Sequence, residues 1–214
     1  MPGRPLLLPP GLSGREAAVP TPVGPARTWT QGPYGLAPVL VLGHGAGGGV
    51  EAPDLLAARD AALAVGFAVV RVDQPWRVAG RRVAEAPARL DAAWLAVVAT
   101  LTGPLVLGGR SAGARVACRT ADQLGAVGVL ALAFPLQAPR ASRLHELRRP
   151  AVPRLVVQGA RDAFGVPGPE PGLTVHVVAC ADHAFGVRRK DGRTPSAVSE
   201  EVTAAVAGWL QTLT

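Results

Sequence analysis

A chain of 214 residues, about half of them hydrophobic, is long enough to bury one well-packed core and short for two, so a single domain over 1–214 is expected. The net charge of +7 comes from arginines spread along the chain rather than gathered into a run interleaved with aromatics, which argues against a nucleic-acid partner. Cys118 and Cys180 stand at no metal-ligand spacing, and Leu6-Leu7-Leu8 between prolines is too short for a signal peptide or a membrane span, so the expectation is a soluble, cytoplasmic protein with free thiols, no metal and no membrane partner.

Residues 1–37 are rich in proline and glycine and read as short edge strands or coil; the core is expected over 38–213. Pro38 to Leu42 is a continuous apolar run that breaks into a glycine loop, Gly43-His44-Gly45-Ala46-Gly47-Gly48-Gly49, as a buried parallel strand would. Pro53-Asp54 open a helix that lasts to Gly66, and Phe67 to Val72 form the next strand. Residues 82–101 carry apolar side chains at helical spacing (Leu90, Ala93, Trp94, Val97, Val98, Leu101) until Gly103-Pro104 stop them. Further strands are expected from Leu105, over Val127–Phe134, Arg154–Gln158 and Leu173–Val178, with a short helical piece at Ser142–Leu147 and a closing helix over Ser196–Leu213. Strand and helix alternate throughout, which implies an α/β fold: a mostly parallel sheet with helices on both faces and ligands at the carboxyl ends of the strands.

Gly109-Arg110-Ser111-Ala112-Gly113 sits between one such strand and a helix. The spacing G-x-S-x-G suits a tight strand-to-helix turn in which a side chain at either glycine would collide with neighbouring backbone, leaving the Ser111 hydroxyl clear of the sheet. Two later groups fall just past strand ends: Asp162, placed to orient an imidazole, and His183, placed to take a proton from Ser111 and return it to a leaving group. Asp73, Asp182 and Asp54 are rival acids, of which Asp73, past the strand before the long helix, is the most serious; His44, His145 and His176 are weaker candidates for the base. The loop at Gly45–Gly49 lacks the lysine and hydroxyl of a phosphate-binding loop, so no nucleotide cofactor is expected. Its better use is to bring the backbone N–H of Ala46 beside that of Ala112 as an oxyanion hole, with Gly45 allowing close approach and His44 holding the loop by hydrogen bonds.

The order Ser111, Asp162, His183, taken with Gly43-His44-Gly45-Ala46-Gly47-Gly48, Gln158-Gly159-Ala160-Arg161-Asp162 and Asp182-His183-Ala184-Phe185, resembles the α/β-hydrolase superfamily over roughly residues 38–213. Within it the chain is similar to the small dienelactone-hydrolase-like members and to the testis-expressed-protein type of hydrolase. The resemblance implies a cofactor-free serine hydrolase of carboxylic esters or related acyl groups. Dienelactone hydrolase itself carries a cysteine at the elbow, so its lactone specificity does not transfer to a chain with Ser111. Only about fifteen residues separate Phe134 from the next strand, too few for a substantial cap. A short or acid-bearing small-molecule ester is the expected substrate, with Arg77, Arg81, Arg82, Arg188, Arg189 and Lys190 near the mouth. The alternative is a non-catalytic protein of the same fold that serves as an interaction module.

Overall fold

The computed structural model describes residues 14–35, 37–138 and 141–214. The strands are β1 (Arg15–Val19), β2 (Ala26–Gln31), β3 (Val39–Gly43), β4 (Ala68–Asp73), β5 (Leu105–Arg110), β6 (Gly128–Leu132), β9 (Arg154–Gly159) and β10 (Leu173–Val178), with a small hairpin of β7 (Gln137–Ala138) and β8 (Ala141–Ser142). The helices are α1 (Pro53–Ala64), α2 (Pro75–Val78), α3 (Pro87–Val98), α4 (Ala112–Thr120), α5 (Leu144–Arg148) and α6 (Pro195–Leu210). Eight strands form one sheet in the order β1-β2-β4-β3-β5-β6-β9-β10. The first two pairings are antiparallel and the rest parallel, so the segment before residue 37 supplies the antiparallel edge of an otherwise parallel sheet.

Helices cover both faces, which is why β3, β5, β6 and β9 read as unbroken apolar runs rather than alternating ones. Their alternation appears in three dimensions instead. Val39, Val41, Leu107, Val129 and Ala131 face Leu90, Trp94 and Val97 of α3 and Ala114 and Ala117 of α4. Leu40, Leu42, Val106, Leu130 and Leu132 face Leu55, Ala58 and Ala61 of α1 and Val202, Val206 and Leu210 of α6. A one-residue slip of any central strand would exchange these two sets, so the two cores fix the register.

The helix expected over 82–101 is shorter and has a separate predecessor. Ala86 precedes Pro87 and is extended (φ −58°, ψ 148°), as a residue before proline tends to be, so α3 begins only at Pro87. Upstream, Pro75 occupies the first turn of the four-residue α2, which ends by Gly80 at φ 72°. The strand expected to reach Phe134 stops at Leu132 because Ala133 turns to φ 47°. The segment after it holds the β7–β8 hairpin and five-residue α5, with nothing of the size of a cap among its described residues. No described helix is long and apolar enough to cross a membrane.

Candidate active site

Ser111 lies between β5 and α4 with φ 51° and ψ −106°, a conformation that L-residues avoid. A Cβ at Gly109 would come within 2.4 Å of the Gly43 carbonyl oxygen, and one at Gly113 within 2.3 Å of it. The turn therefore packs against β3 only because both flanking positions lack side chains. The Ser111 amide donates to the Leu132 carbonyl at 2.9 Å, and the Ser111 carbonyl accepts from the Arg115 amide at 3.2 Å, so the residue is held by its own backbone on both sides.

Three side chains meet at the carboxyl ends of the strands. His183 Nε2 is 3.1 Å from Ser111 Oγ, and His183 Nδ1 is 2.8 Å from Asp162 Oδ2. Because Asp162 accepts, the Nδ1 proton faces it and Nε2 is free to accept from the serine hydroxyl; this tautomer follows from the hydrogen-bond network. The Asp162 side chain is fully buried, and its carboxylate is satisfied by two further donors, Gln158 Nε2 at 2.7 Å on Oδ2 and the Phe164 amide at 2.8 Å on Oδ1. Gln158 is itself buried in β9, where it also bonds the carbonyls of Phe134 and Gly165. The Phe164 ring stands edge-on to the His183 imidazole, centroids 4.6 Å apart. Sequence reasoning passed over Gln158, although a polar residue in an otherwise apolar buried strand signals a bonded partner.

The rival groups lie elsewhere. Asp73 ends β4, with its Oδ1 3.8 Å from His44 Nε2 and no hydrogen bond to His183. His176 bonds Glu201 on the outer strand β10 at 2.9 Å, and His145 is exposed on α5. His44 is buried between β3 and the glycine loop. Its Nδ1–H donates to the Gly45 carbonyl at 2.8 Å, and its Nε2 accepts the Gln74 amide at 3.1 Å. Burial holds its pKa below the ordinary histidine value, which keeps the ring in this neutral, one-donor form. The C=O of Gly45 and the N–H of Ala46 belong to one trans peptide plane and point opposite ways, so fixing the first aims the second away from His44. Neither Ala46 nor Ala112, the first residue of α4, has a protein acceptor for its amide among the described residues. At the far end of the loop, Arg71 donates to the Val50 carbonyl at 3.0 Å and pairs with Glu51, so the loop is tied at both ends.

These elements give a strained serine on a strand-to-helix turn, an imidazole backed by a buried carboxylic side chain, and amides beside them without protein acceptors among the described residues. The α/β hydrolase domain family, compared as a whole, matches residues 37–211. The chain belongs to this family. As an α/β hydrolase it also shares its fold with solved structures at low identity. An alpha-beta serine hydrolase homologue from Coxiella burnetii is 18% identical, with 93% of this chain and 98% of that one covered at a TM-score of 0.73. A lidless serine hydrolase from Xanthomonas campestris is 20% identical (95% and 97% covered, TM-score 0.69), and the dienelactone hydrolase of Anabaena variabilis is 16% identical (93% and 97%, TM-score 0.71). No curated protein matches.

Beside the site, at Arg110 and Ala184, this α/β hydrolase presents a cleft of about 640 Å³ lined by the glycine loop and Trp29 and by charges of both signs, Arg27, Arg77 and Arg110 with Glu51, Asp54 and Asp73. Of the arginines expected near the mouth, Arg81 pairs with Glu85 and Arg188 with Asp191, whereas Arg77 lines the cleft and has no acidic partner among the described residues. A separate groove of about 490 Å³ runs between the start of β10 and α6, at the amino ends of the strands and away from this chemistry.

Proposed function

We propose that this α/β hydrolase is a serine hydrolase of carboxylic esters or related acyl groups, working through an acyl-enzyme. The observation that carries the reading is the continuous chain from Ser111 Oγ to His183 Nε2 and from His183 Nδ1 to Asp162 Oδ2, at 3.1 and 2.8 Å. Ser111 Oγ attacks the substrate carbonyl carbon while its proton passes to His183 Nε2. Asp162 stabilises the imidazolium so formed, and the amides of Ala46 and Ala112 donate to the oxyanion. Collapse of the tetrahedral intermediate breaks the carbonyl–leaving-group bond, and the leaving oxygen takes the Nε2 proton. Water, deprotonated by the same nitrogen, then attacks the acyl carbonyl and releases the acid, and Ser111 recovers its proton. The test is labelling by a fluorophosphonate probe, which reports an activated serine whatever the natural substrate. Rapid labelling at Ser111 supports the reading; an inert protein points to a non-catalytic interaction module.

The substrate preference follows from what covers the strand ends. The Xanthomonas relative is described as lacking a lid, and here the described residues between β6 and β9 offer only a short hairpin and a five-residue helix. An uncovered site has few apolar walls, so a long acyl chain forgoes the roughly 0.8 kcal/mol that each buried CH₂ would otherwise contribute. Arg77, in no ion pair among the described residues, is the group at the cleft that could meet the acid of an acid-bearing ester. With p-nitrophenyl acetate, butyrate and palmitate under one set of conditions, kcat/KM is expected to be highest for the two short esters. Faster turnover of the palmitate ester would reveal an apolar acyl tunnel and overturn the open-site reading.

A further inference from the structure

Arg110, the residue just before Ser111, has a role that the acyl-transfer reading leaves unassigned. Its guanidinium is a rigid fork, and three parts of the chain converge on it. Nε lies 3.0 Å from Asp54 Oδ2 in the first turn of α1. Nη2 donates to the backbone carbonyl of His183 at 3.0 Å. Nη1 lies so close to Gly45 that a Cβ there would stand 3.0 Å from it. One side chain thus spans the glycine loop, the serine elbow and the loop that carries the histidine.

Asp182 fixes the internal shape of the histidine loop by accepting from the amides of Ala184 and Gly186 at 2.8 and 2.9 Å, and the Arg161 amide on the Ala181 carbonyl (2.8 Å) and Asp162 on His183 Nδ1 tie the loop to the end of β9, but none of these bonds joins it to the elbow. Among the described residues, Arg110 to His183 is the only hydrogen bond joining residues 179–187 to residues 105–113, apart from the Ser111–His183 contact itself. Asp54 is the group that holds Arg110 in place. Its side chain is 3% exposed, and burial pushes its pKa up while the Arg110 cation opposes that shift. The carboxylate and guanidinium neutralise one another inside the protein, and the α1 dipole favours the anion where it sits.

We propose that Arg110 is a positioning residue that sets the distance of His183 from Ser111, and that Asp54 is its anchor. The effect on rate rests on the acyl-transfer reading; the placement of His183 does not. With a small neutral ester, Arg110→Gln is expected to lower kcat about 10- to 100-fold with KM within about twofold, because misplacing a base by about 1 Å costs on that order, whereas a neutral ester carries no charge for the cleft-lining guanidinium to hold. Arg110→Lys should recover part of the loss, since an ammonium can reach one of the two partners but cannot bridge both. Asp54→Asn should lower kcat in the same direction, and adding it to Arg110→Gln should cost little more than Arg110→Gln alone. Wild-type kcat in folded Arg110→Gln, or a loss confined to melting temperature, overturns the proposal. Should Arg110→Gln fail to fold, Arg110→Lys and Asp54→Asn decide it by the same split between kcat and KM. If the wild-type protein proves inert to the fluorophosphonate, the hydrolase reading falls, and Arg110 is judged on the downfield proton resonance of His183 Nδ1–H. Loss of that signal in the Arg110 variants upholds positioning, and an unchanged signal refutes it.

Discussion

Ser111→Ala is expected to abolish both fluorophosphonate labelling and ester turnover while leaving the fold intact, a loss on the order of 10⁶ in kcat if the remaining groups act only by binding. The fold should survive because, among the described residues, the hydroxyl hydrogen-bonds only to His183, whereas the turn is held by the Ser111 backbone and by Gly109 and Gly113 packed on Gly43. His183→Ala should cost about as much alone, and the double variant little more than either, since every proton the imidazole carries belongs to a step that begins with the Ser111 attack. Turnover that persists in purified Ser111→Ala would remove the nucleophile and with it the mechanism. Losses that add in the double variant would assign the base to another residue.

Asp162→Asn should be the second largest effect, on the order of 10⁴ in kcat with the fold retained. The carboxylate accepts three hydrogen bonds in a fully buried position, from His183 Nδ1, Gln158 Nε2 and the Phe164 amide. An asparagine offers a single acceptor oxygen and a donor NH₂, so at least one of the three donors must face another donor. If the NH₂ turns to His183, the ring flips its proton to Nε2 and can no longer accept from Ser111. If it turns to Phe164, the loop that carries residue 162 loses its bond. Asp73→Asn is the control: its carboxylate stands beside His44 and not His183, so turnover should change far less. A reversal of the two results would make Asp73 the working acid.

The central strands were legible because burial on both faces writes them as unbroken apolar runs, and their order of alternation with helices gave the parallel sheet. The antiparallel edge was less so: β1 and β2 are half-exposed and separated by a segment with Pro20, Pro22 and Pro25, and they are strands because β2 pairs with β4 and they pair with each other. The four-residue α2 and the β7–β8 hairpin are too short to carry a period. At the site, Ser111, Asp162 and His183 stood out because each follows a strand and parallel strands bring their carboxyl ends together. The Arg110–Asp54 pair was hidden for the opposite reason: Asp54 and the His183 carbonyl lie 56 and 73 residues from Arg110 in sequence, and no local pattern announces them, whereas Gln158 showed itself only as a polar residue in an apolar strand. Arg110 in particular reads as one more arginine in an arginine-rich chain until its two partners are seen.

The backbone of Ser111 bears on the history such a protein can have. At φ 51° and ψ −106° a residue with a Cβ costs about 1–3 kcal/mol relative to relaxed backbone, and glycine would escape most of that. Alanine would not, which is why it is the cleaner probe of the hydroxyl. The substitution that most relieves the elbow is therefore also one that silences it, so thermostability and reactivity are opposed at this residue. A lineage released from catalysis would be free to drift toward glycine at 111 and gain a firmer fold, so glycine at this position is the substitution expected in copies of the fold that perform no acyl transfer.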